Sequence, residues 1–395
     1  MPLNRRHLIK SVASLGGLSA MGLTGCAMKP AATGLALYDI VPPLAPIRAE
    51  VDRLFDITVC LRPFRAAGPR LDVEHIGDTL VAHNYGHGGS GWSLSWGSGT
   101  IAVRKAMANS SKRIAVIGCG ALGLTSAILA QQAGAQVTIY ARDLLPDTRS
   151  ARATGSWTPD SRIALTSAVS ADFPALWEEM ARISFKTYRR YLGLPGRPVE
   201  WNDRYYLSDP APDDAPATAA SGDLDFASYS ERIGDLVPAV VDLPPGATPF
   251  PTRRVRRTSA MMFNIADYAH TLMRDFLAAG GRIERREFHA PAELAQLKEK
   301  VVINCPGYAA RDWWKDQSIV PVRGQIGWLV PQPEVDYGLY YDGVNVLSRS
   351  DGIVIQMLEG GDMRGYNDAN ETPNRAESEE GVRRIAELYA RMKTA

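Results

Sequence analysis

The chain has 395 residues, enough for two interlocked halves with ample buried core. Hydrophobic residues make up 45% and charged residues 22%, the proportions of an ordinary globular protein. A formal net charge of +1 supports neither a nucleic-acid-binding surface nor an acidic solvating chain.

The first 30 residues read as an address rather than as part of the fold. Arg5-Arg6-His7-Leu8-Ile9-Lys10 follows the twin-arginine export pattern, and Ser11 to Leu23 is a mild, glycine-containing apolar stretch. That stretch is shorter than the roughly 20 residues a membrane span takes. Leu23-Thr24-Gly25-Cys26 resembles a lipobox, in which Cys26 is acylated and anchors the chain; the alternative is a plain signal with a coincidental cysteine. Export by this route implies a bacterial envelope protein, periplasmic and tethered to membrane only through Cys26. Residues 31–46 are rich in Ala and Pro and read as a tether. Cys60, Cys119 and Cys305 sit in apolar or glycine-rich surroundings without CxxC spacing, so neither a metal site nor a disulfide framework is indicated.

Asp56 to Arg62 alternates as a strand and runs into Arg62-Pro63-Phe64-Arg65, followed by Pro69-Arg70-Leu71-Asp72. Leu80 to Ala82 is a short strand feeding the glycine-rich loop His83 to Gly97, and Thr100 to Asn109 reads as a helix. After the polar join Asn109 to Lys112, the apolar run Arg113 to Ile117 ends in Gly118-Cys119-Gly120-Ala121-Leu122-Gly123. A helix then extends to Gln132, and a second strand covers Gln136 to Tyr140. A Gly-x-Gly-x-x-Gly turn between strand and helix lets the backbone approach a pyrophosphate and aims free N–H groups at it. By itself the motif predicts a dinucleotide without choosing between NAD(P) and FAD.

Phe173 to Leu192 carries apolar and aromatic residues at helical spacing and reads as core. Residues 210–221, rich in Asp, Ala and Pro, read as an exposed loop. Asp267 to Ala279 and Arg375 to Met392 read as helices, and Val301 to Asn304 as a strand.

The run His83-Asn84-Tyr85-Gly86-His87-Gly88-Gly89-Ser90-Gly91-Trp92-Ser93 resembles the signature of the D-amino-acid oxidase family of flavoproteins. In that family the run lies near the C-terminus; here it precedes the nucleotide-binding turn, so the chain resembles a circularly permuted member. The resemblance implies an α/β fold: a Rossmann-type FAD-binding domain interleaved with a mixed, largely antiparallel substrate-binding sheet. It places the FAD-binding domain at 73–160 and 253–322, and the substrate domain at 47–72, 161–252 and 323–395.

Residue by residue, the resemblance implies that Arg62 pairs with the substrate carboxylate, a suitable task for a planar guanidinium. The backbone of Gly88, Gly89, Ser90, Gly91, Trp92 and Ser93 would run along the flavin, with the Gly89 carbonyl facing the substrate amine. Gly118, Gly120, Ala121, Leu122 and Gly123 would take the pyrophosphate, and Arg142 and Asp143 the adenosine ribose. Thr154, Gly155 and Ser156 would form a second flavin loop. Tyr341 would stand over the substrate, while the family's companion tyrosine is replaced by Asn345. Pro306 stands where Thr or Ser is usual, Ala82 replaces a larger aliphatic, and Gly99 an alanine. Residues 210–221 occupy the general region of an active-site lid. His83 and His87 would bond backbone or flavin rather than act in catalysis.

The implied reaction is hydride transfer from the Cα of a D-amino acid to FAD. It gives an imino acid that hydrolyses, with oxygen as electron acceptor and hydrogen peroxide as product. Three alternatives stay open on the residues alone: a glycine- or amine-type flavin oxidase, an envelope flavin dehydrogenase using another acceptor, and a non-catalytic binding lipoprotein.

Overall fold

The computed structural model describes residues 44–108, 111–209 and 224–392. The export segment, most of the tether, Asn109 and Ser110, and the loop at 210–221 lie outside the described residues.

The first elements in chain order are strands β1 (Leu54–Arg65), β2 (Val73–Ile76) and β3 (Thr79–His83), then helix α1 (Gly91–Ala106). Strand β4 (Arg113–Ile117), helix α2 (Ala121–Gln132) and strand β5 (Gln136–Ala141) follow, and then helix α3 (Phe173–Tyr188). Next come β6 (Val199–Ser208), β7 (Val241–Asp242), β8 (Arg254–Phe263), α4 (Ile265–Ala278), β9 (Arg282–Arg285) and β10 (Val301–Asn304). The chain continues through the short α5 (Ala310–Trp313), β11 (Ile319–Leu329), β12 (Tyr337–Tyr341), β13 (Val344–Arg349) and β14 (Gly352–Met357), and closes with α6 (Arg375–Ala390).

One sheet has six strands in the order β2-β3-β10-β4-β5-β9, all parallel except the edge strand β2. Parallel strands are covered on both faces, which is why β3, β4 and β10 are almost wholly buried runs. Ile114 and Val116 of β4 join the core beneath α1, α2 and α4. Ala115 and Ile117 point the other way, to a second cluster with Phe288, Leu294 and Trp313.

The other sheet has eight strands, ordered β1-β11-β14-β13-β12-β6-β8-β7. Every pair is antiparallel except β6 with β12. Strand β8 pairs along its full length with β6 in this sheet. Strand parity divides the sheet's faces. Tyr205, Leu207, Leu339, Val344, Val346 and Ile355 pack against Val382, Ile385 and Leu388 of α6. Their neighbours Arg204, Tyr206, Tyr340, Asn345 and Gln356 face the opposite way.

The glycine-rich loop ends earlier than its sequence suggests. α1 begins at Gly91, with Ser90 as its N-cap, where the sequence placed a loop as far as Gly97. Glycines are poor helix formers, yet Gly97 lets α1 approach α3 closely: a Cβ there would lie 2.2 Å from the Met180 carbonyl oxygen. Tertiary packing decides the helix start. At its C-terminal end α1 stops at Ala106, short of Asn109.

Candidate active site

A cavity of about 550 Å³ lies between the two sheets. Gly88, Gly89 and the first turn of α1 line one side, with Ala121 and Leu122 at the N-terminus of α2. The polar face of the eight-stranded sheet lines the other. A second cavity of about 180 Å³ surrounds Gly118, Gly120, Arg142 and Asp143. The two share Ala121, Leu122, Arg149, Ser150, Gly307 and Tyr308, so together they form one elongated trough. The glycine-rich run and the nucleotide-type turn, read separately in the sequence, therefore meet along it.

At the turn, Gly118 has φ of 98°, and a Cβ there would sit 2.4 Å from the Cys305 carbonyl oxygen. Gly123 is held by packing rather than by the trough, since its Cβ would meet the Gly118 oxygen at 2.0 Å. One donor is already used: the Ala121 N–H donates to Ser150 Oγ at 3.0 Å. Asp143 accepts from Arg142 through Nη2 at 2.7 Å, and Arg142 also reaches Glu287 at 3.2 Å. These bonds hold the Asp143 carboxyl below its ordinary range. Pro306 also lines this end.

Along the other half, the Gly88 N–H donates to the Pro63 oxygen and the Gly89 N–H to the Ser161 oxygen, both at 2.9 Å. Ser90 is fully buried, its N–H bonded to the His87 oxygen and its Oγ to the Ser161 oxygen at 3.1 Å. The donors left for a ligand are thus the first-turn N–H groups of Gly91, Trp92 and Ser93, where the helix dipole is positive. Opposite them, the Gly155 carbonyl accepts from Phe263 N at 2.7 Å and Thr154 Oγ1 donates to Gln356 Oε1 at 3.0 Å. Ser156 Oγ accepts from Arg204 at 3.3 Å.

The two histidines differ. His83 lies outside the trough, bonding Glu74 through Nε2 at 2.7 Å and the Asn304 amide through Nδ1 at 3.2 Å, where the sequence suggested backbone or flavin. His87 lines the large cavity with neither ring nitrogen bonded, and burial with the nearby Arg65 charge pushes it down to about 3.

Five arginines line the large cavity; Arg149 and Arg152 pair with Glu371, and the other three differ in their partners. Arg62 extends over Gly324, and its Nη1 donates to the Arg323 oxygen at 3.3 Å. Arg162 is neutralised by Asp362 at 3.4 Å. Arg204 donates through Nη2 to Asn345 Oδ1 at 2.6 Å. Tyr341 is a correction. Its hydroxyl bonds Asp209 at 3.0 Å and receives Arg391, and its ring joins the face covered by α6. Tyr340 lines the cavity instead, because neighbouring residues of a strand point to opposite faces. Arg162, Arg204, Tyr206 and the Arg149–Ser150 pair escaped the sequence reading. The alternation of Arg204 and Tyr206 with apolar Tyr205 and Leu207 was the one available signal.

Residues 113–394 match the model of the DAO family, described as FAD dependent oxidoreductase. The chain belongs to this family. It is 29% identical over 215 residues to a D-amino-acid oxidase of Streptomyces coelicolor, covering 54% of this chain and 58% of that one. A D-amino-acid oxidase of Rubrobacter xylanophilus is also 29% identical over 219 residues, with the same 54% and 58% coverage. The chain thus spans a little over half the length of these two curated relatives. The structure is similar to glycine oxidase from Bacillus cereus, at 12% identity and a TM-score of 0.47 over 71% of this chain and 77% of that one. The family match starts at the first residue of β4 and leaves β1 to β3 and α1 outside it.

DAO-family proteins are FAD-dependent, and the trough fits such a group. Gly91 and Gly307 border it with no protein atom within 4 Å of where a Cβ would be, so protein packing leaves room there that side chains would fill. Several buried polar atoms lining it lack partners: both His87 nitrogens, Trp157 Nε1, Arg149 Nε and Thr148 Oγ1. Buried polar groups are rarely left unpaired, and a large polar ligand is the natural complement.

Proposed function

We propose that this chain oxidises D-amino acids with FAD, passing the electrons to oxygen to give hydrogen peroxide. One observation carries the reading: the half-buried Arg62 guanidinium enters the large cavity with no carboxylate partner among the described residues. Burial pulls Arg62 below its ordinary value, with the Cys60 thiol and Asp362 opposing the shift. An unpaired, partly desolvated cation is costly unless a ligand supplies the anion, and an α-carboxylate does so. The names of the two bacterial relatives support the D series.

On this reading the trough holds FAD with its pyrophosphate at the N-terminus of α2 and its adenosine end near Arg142 and Asp143. The first turn of α1 and Thr154, Gly155 and Ser156 would hold its ring end. When bound, FAD supplies the two-electron acceptor for the substrate Cα–H bond. The protein fixes the carboxylate at Arg62, keeps His87 neutral beside the trough, and encloses the substrate between the sheets. The imino acid product hydrolyses in water to a 2-oxo acid and ammonia.

The chain order follows as part of the same proposal. The family's C-terminal flavin run has been moved ahead of the nucleotide-binding turn by circular permutation; that run lies outside the family match yet lines the same trough. The twin-arginine segment and Cys26 then direct the folded, flavin-loaded protein to the bacterial envelope.

Absorption of the purified protein near the flavin bands tests the reading, before and after anaerobic addition of D-amino acids. Bleaching by a D-amino acid, its return with air and release of peroxide are expected. A yellow protein that no D-amino acid bleaches would refute it.

A further inference from the structure

The cavity contains a second arginine for which an α-carboxylate has no use. Arg204 rises from β6, five strands away from β1 in the sheet order, and its side chain crosses β12 above Gly338. A Cβ on Gly338 would lie 3.0 Å from both Cδ and Nε of Arg204. Through that gap the guanidinium reaches β13, where Nη2 donates to Asn345 Oδ1 at 2.6 Å. Arg62 does the same from the other side of the sheet. It crosses β11 above Gly324, whose Cβ would lie 2.4 Å from Nη2 and 2.5 Å from Cζ.

Two glycine gaps therefore lead two arginines toward each other, with only β14 and its Gln356 between them. β11 and β13 are two strand spacings apart, and Gly324 lies about two residues further along the sheet than Asn345, so the two guanidiniums stand roughly 12 Å from one another. The two fully buried arginines among the described residues are paired with acids, Arg162 with Asp362 and Arg349 with Asp351, whereas Arg62 and Arg204 are half-buried. Arg62 and Arg204 have only neutral acceptors among the described residues. Two cations facing one cavity without a carboxylate in salt-bridge contact suit two anionic groups.

We propose that Arg204 is a second carboxylate-binding residue, and that the substrate is a dicarboxylic amino acid bridging Arg62 and Arg204. The assignment of the α-carboxylate to Arg62 rests on the function proposed above. The dimensions agree. Bidentate pairing sets each guanidinium carbon about 4 Å from its carboxyl carbon, leaving a few ångströms for the bridge between the two carboxylates. Two or three carbons fill that space. Asn345 and Ser156, accepting from Nη2 and Nη1, fix the guanidinium and leave its other N–H groups for the ligand.

Calorimetry on the flavin-loaded protein tests this without turnover, using succinate and butyrate as probes. Wild type should bind succinate roughly ten- to a hundredfold more tightly than butyrate. Arg204→Gln should bring the two within about threefold. Equal affinities in wild type overturn the proposal, as does a preference that survives Arg204→Gln. Should that variant fail to fold, the wild-type ratio decides alone, and kcat/KM for an acidic D-amino acid against its amide supplies a second reading of it. A protein that prefers succinate yet oxidises no amino acid refutes the oxidase reading and leaves Arg204 assigned. One that oxidises neutral D-amino acids with no preference for dicarboxylates refutes the Arg204 assignment and leaves the oxidase reading intact.

Discussion

Replacing Arg62 by Met separates a binding role from a structural one. The side chain makes a single long hydrogen bond, to the Arg323 oxygen at 3.3 Å, and Asp362 keeps Arg162 as its partner when Arg62 is gone. No buried acid is stranded, and methionine keeps most of the apolar stem that lies over Gly324. Burial already disfavours the cation in the free protein, so its loss should leave the melting temperature unchanged or raise it. The substrate is affected differently. Losing one partner of a buried carboxylate pair costs about 2–5 kcal/mol. At 1.4 kcal/mol per decade that is roughly a 30- to 4,000-fold fall in kcat/KM. Peroxide release gives the kinetic constants, flavin absorbance checks loading, and thermal melting checks the fold. Wild-type kcat/KM in Arg62→Met would refute carboxylate binding there. A variant that melts far below wild type without substrate would show that Arg62 holds the sheet together.

His87 makes stability depend on pH. Its native value of about 3 lies below the ordinary 6.5, so between those limits the unfolded chain binds a proton that the folded chain refuses. Stability therefore falls as pH drops through this window, and urea unfolding of His87→Phe should lose about 2.5 kcal/mol less than wild type between about pH 6 and about pH 4. Equal losses would place His87 in solvent. Tyr340→Phe should change KM for the substrate, whereas Tyr341→Phe, on the opposite face, should leave KM alone and lower stability by about 1 kcal/mol through its lost bonds to Asp209 and Arg391. The reverse pattern would mean that the parity of β12 has been misread.

The nucleotide-binding half was largely legible because its signals are local. A buried strand, a turn needing positive φ at Gly118 and a helix of small residues follow one another within 20 residues. The substrate half was not. Arg204 acquires its meaning only from the pairing of β6 with β12, over 130 positions downstream, and from the gap at Gly338. The choice between Tyr340 and Tyr341 depended on strand parity, which a dipeptide cannot reveal. The early start of α1 was hidden because the closeness of α3, which makes glycine suitable at position 97, is a tertiary fact.

The arrangement of α1 and α2 has a consequence for assembly. Both helices, with the strands β3 and β4 ahead of them, come from the single stretch of residues 79–132. The two helix N-termini that line the trough therefore meet after closing only a short loop, which costs little chain entropy and favours early formation. The eight-stranded sheet instead joins residues 54–65 to residues 319–329 and waits on almost the whole chain. The pairing of α1 with α2 is thus local in the chain, although β10 from residues 301–304 must still enter between β3 and β4, whereas the larger sheet is assembled from end to end.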